Sequence, residues 1–178
     1  MRIVAAPVGE RAALLVPEGA VATRSGLDFV QVAEACGGGE RAVGLGAQAV
    51  DVARIHAAAA DLFSPCALGA GLNARTIPEL GAPIVCGAAN NQLEVEDDGA
   101  RLQARGIIYA PDYVVNAGGI ISVSAEYIGE SEAAVDARVR AIAPRLMKVL
   151  ETAKVQNITP HQAADAIVRE RLAAARKA

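Results

Sequence analysis

Ile84-Val85-Cys86-Gly87-Ala88-Ala89-Asn90-Asn91-Gln92-Leu93 is an apolar run that stops in small and then carboxamide side chains. Two further segments share the design: Asp61-Leu-Phe-Ser-Pro-Cys-Ala-Leu-Gly69 upstream, and Tyr109-Ala-Pro-Asp-Tyr-Val-Val-Asn-Ala-Gly-Gly-Ile120 downstream. The strands these imply, Asp61 to Ser64, Pro83 to Cys86 and Gly106 to Tyr109, alternate with helical stretches in the rhythm of βαβ units on a parallel sheet. In such sheets ligands bind outside the carboxyl ends of the strands, where small residues let the backbone approach a flat ring. Asn90, Asn91 and Asn116 each offer donors and acceptors together, as an amide or a sugar hydroxyl requires of its site. Gly118-Gly119 permits close approach ahead of another helical stretch. Asn and Gly also simply make turns after strands, and one segment alone leaves the two readings level; three in succession point to a site.

Outward from this centre the pattern changes. Before residue 51 it is short and broken: Arg2 to Ala6 and Leu27 to Ala33 read as strands, and Gly37-Gly38-Gly39 breaks the chain again after the second. Gly44-Leu-Gly46-Ala-Gln-Ala49 has the G-x-G-x-x-A form in which a helix amino terminus receives phosphates. Its preceding strand would be only Arg41 to Val43, and no second strand ends in an acid before Asp61, so a Gly-rich connection is the better reading. The run Ala57 to Ala60 favours helix. Toward the carboxyl end, Val135, Val139, Ile142, Leu146 and Val149 recur at helical spacing, with Pro144 set to kink or divide the run, as two helical pieces or one bent one. Thr159-Pro160 is an N-cap followed by a first-turn proline, opening a last helix through Ala163, Ala164, Ile167, Val168 and Leu172.

The whole chain is 178 residues with 17 basic and 20 acidic side chains, a net charge of −3, and a pI near 5.4. One ordinary domain, or one domain plus a short appendage, fits that length. Without a Lys/Arg patch, a nucleic-acid partner is not expected. Charges interrupt every apolar stretch before it reaches membrane-spanning length, so no membrane span is expected either, and a cytoplasmic protein is the simplest reading. Hydrophobic residues make up 53% but aromatics only 3%, with no Trp, which implies a core of Ala, Val, Ile and Leu. Cys36, Cys66 and Cys86 lack metal-ligand spacing and read as reduced thiols, with Cys86 in the core and Cys66 a small packing residue. His56 and His161 fall in helical context, in surface or capping roles. The acids Glu94 to Asp98 read as a solvated loop, since they lack calcium-loop spacing.

From about Asp61 to Gly129 the sequence closely resembles the cofactor-binding domain of the glutamate/leucine/phenylalanine/valine dehydrogenase family, in its leucine, valine and phenylalanine branch. The strings that carry the resemblance are DLFSPCALG, LNARTIPEL, CGAANNQL and RGIIYAPDYVVNAGGIISV, with HQAADAIVRERL a looser match to the family's last helix. The resemblance implies an α/β fold with a Rossmann-like doubly wound parallel sheet, partial or truncated here and flanked by C-terminal helices. It also implies NAD as hydride acceptor and reversible oxidative deamination of an L-amino acid to its 2-oxo acid. Matched motif by motif, Cys66, Ala67, Asn90 and Asn91 correspond to residues beside the nicotinamide and its ribose. Asn116 corresponds to a residue at the cofactor–substrate junction, and Ile120 and Val123 to positions lining the pocket for the substrate side chain. Their aliphatic character suits a branched-chain substrate. Ser122 stands where relatives often carry Asn.

Two departures accompany the resemblance. Family members carry two lysines in Gly-rich segments and an acid–base aspartate in a preceding catalytic domain, whereas the three lysines here, Lys148, Lys154 and Lys177, lie in the C-terminal helical region and match no such motif. A helix-surface lysine in water lacks the environment that lowers its pKa for polarising a 2-oxo group, so no catalytic residue is assigned. Residues 1–45 faintly resemble the amino-terminal segment of alanine dehydrogenases and the transhydrogenase α subunit, through MRIVAAPVGERAALLVPEG and LDFVQVAEACGGGERA. The expected organisation is thus an atypical segment, 1–50, and an NAD-binding domain of amino-acid-dehydrogenase type, 51–178, lacking the catalytic domain. The alternative is a non-enzymatic nucleotide- or partner-binding remnant. If the amino-terminal segment adds no strand, the first strand of the domain is an open edge that would favour a homo-oligomer.

Overall fold

A computed structural model describes residues 3–5, 13–16, 48–50, 52–66 and 68–176. These divide into two compact units, residues 1–112 and 113–178.

The first unit is built on a sheet of strands β1 (Ile3–Ala5), β2 (Ala13–Val16), β3 (Gln48–Val50), β4 (Leu62–Ser64), β5 (Ile84–Val85) and β6 (Ile108–Tyr109). Their order is β3-β2-β1-β4-β5-β6. From β1 through β4 and β5 to β6 all pairs are parallel, with Val4 opposite Phe63, Phe63 opposite Val85 and Val85 opposite Tyr109. This is the expected Rossmann-like parallel half. The other side departs from an all-parallel sheet: β2 is antiparallel to both β1 and β3. The amino-terminal segment does add strands, and β4 is paired on both sides.

Phe63, Val85 and Tyr109, neighbours across the sheet, are buried with Ile55, Leu72, Ile77, Leu80, Leu102 and Ile107 in one core. Helix α1 (Asp97–Ala104) packs Leu102 into it. The chain leaves α1 through Gly106 at φ +69, a left-handed conformation in which the Ile107 N–H reaches back to the Leu102 carbonyl at 3.0 Å. Asp98 opens α1 as a wholly buried carboxylate that accepts from the Val95 N–H at 3.0 Å and from Arg101 at 2.6 Å. This corrects the reading of Glu94 to Asp98 as a fully solvated loop. The run Ala57 to Ala60 is also not α-helical. A 3-10 turn at Val52–Arg54 passes into i to i−3 bonds, and the His56 carbonyl accepts the Gly81 N–H at 2.8 Å, a tertiary bond that occupies an acceptor a helix would use.

The second unit is helical: α2 (Asp112–Val115, its first residue closing the first unit), α3 (Gly118–Ile128), α4 (Glu132–Arg140), α5 (Ile142–Gln156) and α6 (Pro160–Ala175). Of a bent helix and a divided one, the chain takes the division, at Ala141, which leaves Pro144 in the first turn of α5, where no N–H is needed. At α6 the expected cap is a full capping box, with Thr159 accepting from the Gln162 N–H and the Gln162 side chain accepting from the Thr159 N–H. Val149, Ala153, Ala163 and Ala164 form its core, joined by Val114, Ile158 and Ile167. His161 is buried at the start of α6 with Nε2 3.2 Å from the Thr159 hydroxyl, a capping neighbour and not a surface residue. No described helix is long and apolar enough to cross a membrane.

Candidate functional site

The loops that follow β4 and β5 lie side by side at the carboxyl ends of parallel strands and are fastened backbone to backbone. The Cys86 N–H donates to the Phe63 carbonyl at 3.0 Å, the Ala89 N–H to Pro65 at 2.9 Å, and the Ala70 N–H to Asn91 at 2.7 Å. Gly87 makes this approach feasible, since a Cβ there would stand 2.3 Å from the Pro65 carbonyl oxygen. Leu72 bridges to Leu93 beyond the loops, its N–H on the Gln92 carbonyl at 2.9 Å.

Side chains then set the loop shape. Gln92, buried, donates through Nε2 to the Gly87 carbonyl at 2.8 Å and the Ala89 carbonyl at 3.0 Å. Its Oε1 has no partner among the described residues. Asp112 follows Pro111 at the end of β6, and its buried carboxylate accepts the Asn91 N–H at 2.8 Å and the Tyr109 hydroxyl at 3.0 Å. These bonds hold Asn91 at φ 52, a left-handed conformation that asparagine tolerates better than most residues. In the adjoining LNARTIPEL string, Asn73 Oδ1 accepts from the Arg75 and Thr76 N–H groups, each at 3.0 Å, closing an Asx turn. Arg105 caps the 3-10 turn Ile77–Glu79 by donating to the carbonyls of Ile77 and Leu80.

Among the residues singled out from sequence, Cys66, Asn90 and Asn91 are brought to this pair of loops. Cys66 is half-buried two residues past β4, its Sγ 3.4 Å from the Ser64 hydroxyl. Asn90 and Asn91 are exposed. Ala67 lies outside the described residues, as do Cys36, Leu27 to Ala33 and Gly37 to Gly39. Cys86 is half-buried, not sealed in the core, and burial, with Cys66 nearby, pushes its thiol up from the ordinary range. His56 packs its ring 5.1 Å from that of Phe63, with Nε2 3.2 Å from the Gly71 carbonyl. Burial lowers its pKa from 6.5, more than the Gly71 bond raises it. In the second unit, Asn116 is half-buried in the turn between α2 and α3, while Ile120 and Val123 are 68% and 63% exposed on α3.

The groups the first unit presents, a half-buried thiol and two exposed carboxamides, are neutral donors and acceptors on a tightly apposed backbone. They fit the uncharged carboxamide and ribose end of a nicotinamide nucleotide. For the phosphate end, the Gly44 to Ala49 motif enters strand β3 at Gln48, so its last two residues do not open a helix. Gln92 and Asp112 were not singled out from sequence as site-forming. The Pro-Asp pair at the end of a strand was a visible turn signal for Asp112, but its Asn91 bond spans 21 residues of sequence.

Comparison with known proteins agrees with this architecture. The family model described as glutamate/leucine/phenylalanine/valine dehydrogenase matches residues 9–178, taking in most of the amino-terminal segment as well. A phenylalanine dehydrogenase from Thermoactinomyces intermedius is 45% identical over 93% of this chain and 44% of its own length. A leucine dehydrogenase from Bacillus cereus is 43% identical over 72% of this chain and 35% of its own. The crystal structure of L-tryptophan dehydrogenase from Nostoc punctiforme superposes with a TM-score of 0.71 at 42% identity, covering 75% of this chain and 40% of that one. The chain thus spans less than half the length of these relatives. With the motifs, the parallel sheet and the family match in agreement, this chain belongs to the glutamate/leucine/phenylalanine/valine dehydrogenase family.

Proposed function

We propose that residues 51–178 are the NAD-binding portion of an L-amino-acid dehydrogenase acting on a branched-chain-type substrate, with the acid–base groups supplied from outside this portion. The observation that carries the reading is the fastened pair of loops after β4 and β5, which presents Asn90 and Asn91 at the carboxyl ends of parallel strands. Cys66, Ala67, Asn90 and Asn91 hold the nicotinamide and its ribose in one orientation, and Asp112 and Gln92 position the loop that carries the asparagines. Asn116 is assigned to the cofactor–substrate junction, and Ile120 and Val123 to contact with an aliphatic substrate side chain. When bound, NAD supplies the hydride acceptor for oxidative deamination of the amino acid to its 2-oxo acid. Proton transfers fall to groups other than Lys148, Lys154 and Lys177, none of which matches the family's lysine-bearing Gly-rich segments.

Calorimetric titration with NAD, followed by an NADH absorbance assay with L-leucine and L-valine, tests the reading. Binding without turnover is expected, and Asn90→Ala should weaken it about tenfold, the loss of one or two hydrogen bonds. No binding at millimolar NAD would overturn it. The placement of the lysines favours a second reading, a nucleotide-binding protein with no catalysis of its own. Turnover on adding a separately expressed catalytic domain from a relative would separate the two. A preference for phenylalanine over leucine in that assembly would sink the assignment of Ile120 and Val123.

A further inference from the structure

Within the helical unit a cavity of about 420 Å³ opens between α5, α6, α2 and Ala117 just ahead of α3. Two helix faces build it. Arg145, Lys148 and Val149 share one face of α5, and Ala164, Val168 and Arg171 one face of α6. The space exists because Ala117, Ala141 and Ala164 contribute only methyl groups where a larger side chain would fill it. Val114, Val149 and Val168 supply apolar wall. Arg145, Lys148 and Arg171 supply three positive charges, and no acidic side chain lines the cavity. None of the three cations forms an ion pair among the described residues. Like charges converging on one apolar space repel, and an anion placed between them relieves that repulsion. The volume lies within the range of small-molecule sites.

We propose that this cavity binds an organic anion, a carboxylate or phosphate monoester carried on a short aliphatic body, with its oxygens at Arg145, Lys148 and Arg171 and its body against Val114, Val149 and Val168. A zwitterionic amino acid is a poorer ligand, since no carboxylate lines the cavity to pair with its ammonium group, which would face Arg145, Lys148 and Arg171. The proposal uses none of the residues assigned to the nicotinamide, so it stands or falls separately from that assignment.

The test is an NMR titration of the full chain, labelled with ¹³C and ¹⁵N, against four probes of matched body: hexanoate, hexyl phosphate, L-norleucine and 1-hexanol. Saturable shifts of the Val114, Val149 and Val168 methyls are expected with hexanoate or hexyl phosphate, and whichever binds more tightly identifies the head group. 1-hexanol, which loses the charge-assisted contact, and L-norleucine, whose ammonium group faces the three cations, should each bind at least about tenfold more weakly. Arg145→Gln combined with Lys148→Gln, both on exposed side chains, should weaken hexanoate by a further factor of about ten while leaving 1-hexanol unchanged. If neither anion gives saturable shifts at these valines, or if hexanoate and 1-hexanol bind alike and ignore the double substitution, the proposal is overturned.

Discussion

At the end of β5 the backbone is tied down at nearly every residue, whereas α3, which buries Ile121 and Ala125, leaves Ile120, Val123, Tyr127 and Ile128 in the open. In the first region Gly87 lies against Pro65, Gln92 spends both amide protons on loop carbonyls, and Asp112 grips the Asn91 N–H. In the second, Ile120, Val123 and Tyr127 stand exposed, Tyr127 at 91%. The lesson is that two sets of candidate site residues, carried by two different family strings, can be constrained in opposite ways. Asn90 and Asn91 are placed by the backbone beneath them, so almost any change to that backbone displaces them. Ile120 and Val123 need only a helix, so their identity is free of the demands of folding.

Gly87→Ala should break this contrast most severely. A Cβ placed 2.3 Å from the Pro65 oxygen must force the two loops apart, and a loss of about 3 kcal/mol or more is expected in urea denaturation. A wild-type midpoint would mean that the loops are not in contact. Asp112→Asn comes next, at about 2 kcal/mol, because an amide group must face either the Asn91 N–H or the Tyr109 hydroxyl and leave one buried donor unpaired. Faster hydrogen exchange at the Asn91 amide would locate the damage. In the helical unit, Thr159→Ala removes the capping-box acceptor and should cost about 1 kcal/mol, read as the same midpoint shift.

A weaker effect depends on pH. Burial holds the His56 pKa below its ordinary 6.5, so the unfolded chain binds this proton more tightly than the folded one. The stability tied to a neutral His56 is therefore complete above pH 6.5 and is lost as pH falls below it. Melting temperatures measured between about pH 8 and pH 5 should fall more steeply for the wild type than for His56→Gln. Equal slopes would sink the assignment. Smallest of all, Ile120→Ser and Val123→Ser should each change stability by no more than about 0.5 kcal/mol. A larger loss in thermal melts would show that the Ile120 and Val123 face of α3 contributes to folding as its buried Ile121 and Ala125 do.

Much of the fold is legible in the sequence, for local reasons. The parallel strands β4, β5 and β6 each combine an apolar run with a turn, Pro144 must fall where no N–H is required, and Thr159-Pro160 states a helix start in two residues. What escapes a sequence reading is relational. Nothing within Ala13–Val16 reveals that β2 runs against its neighbours, since strand direction depends on partners distant in the chain. Asp98 looks like one acid in a solvated run, although Arg101 three residues later is a visible partner. Ala57 to Ala60 have helix propensity, but the Gly81 N–H claims the His56 carbonyl. Of the site, Cys66, Asn90 and Asn91 can be picked out because strand ends advertise themselves. Gln92 and Asp112 cannot, because their role is to hold backbone that only the folded chain brings near.

The pairing of β1 with β4 joins Ile3 to Leu62, and that span sets an order of events on the ribosome. The antiparallel contact of β1 with β2 is available as soon as residue 16 emerges, whereas the parallel contact must wait for residue 64 and then close a long loop at an entropic cost. The β5–β6 step with α1 between its strands spans far less chain. A nascent chain therefore reaches β4 after β1 and β2 have paired locally and before β5 and β6 have emerged, so β4 is the strand that links an early antiparallel piece to a later parallel one.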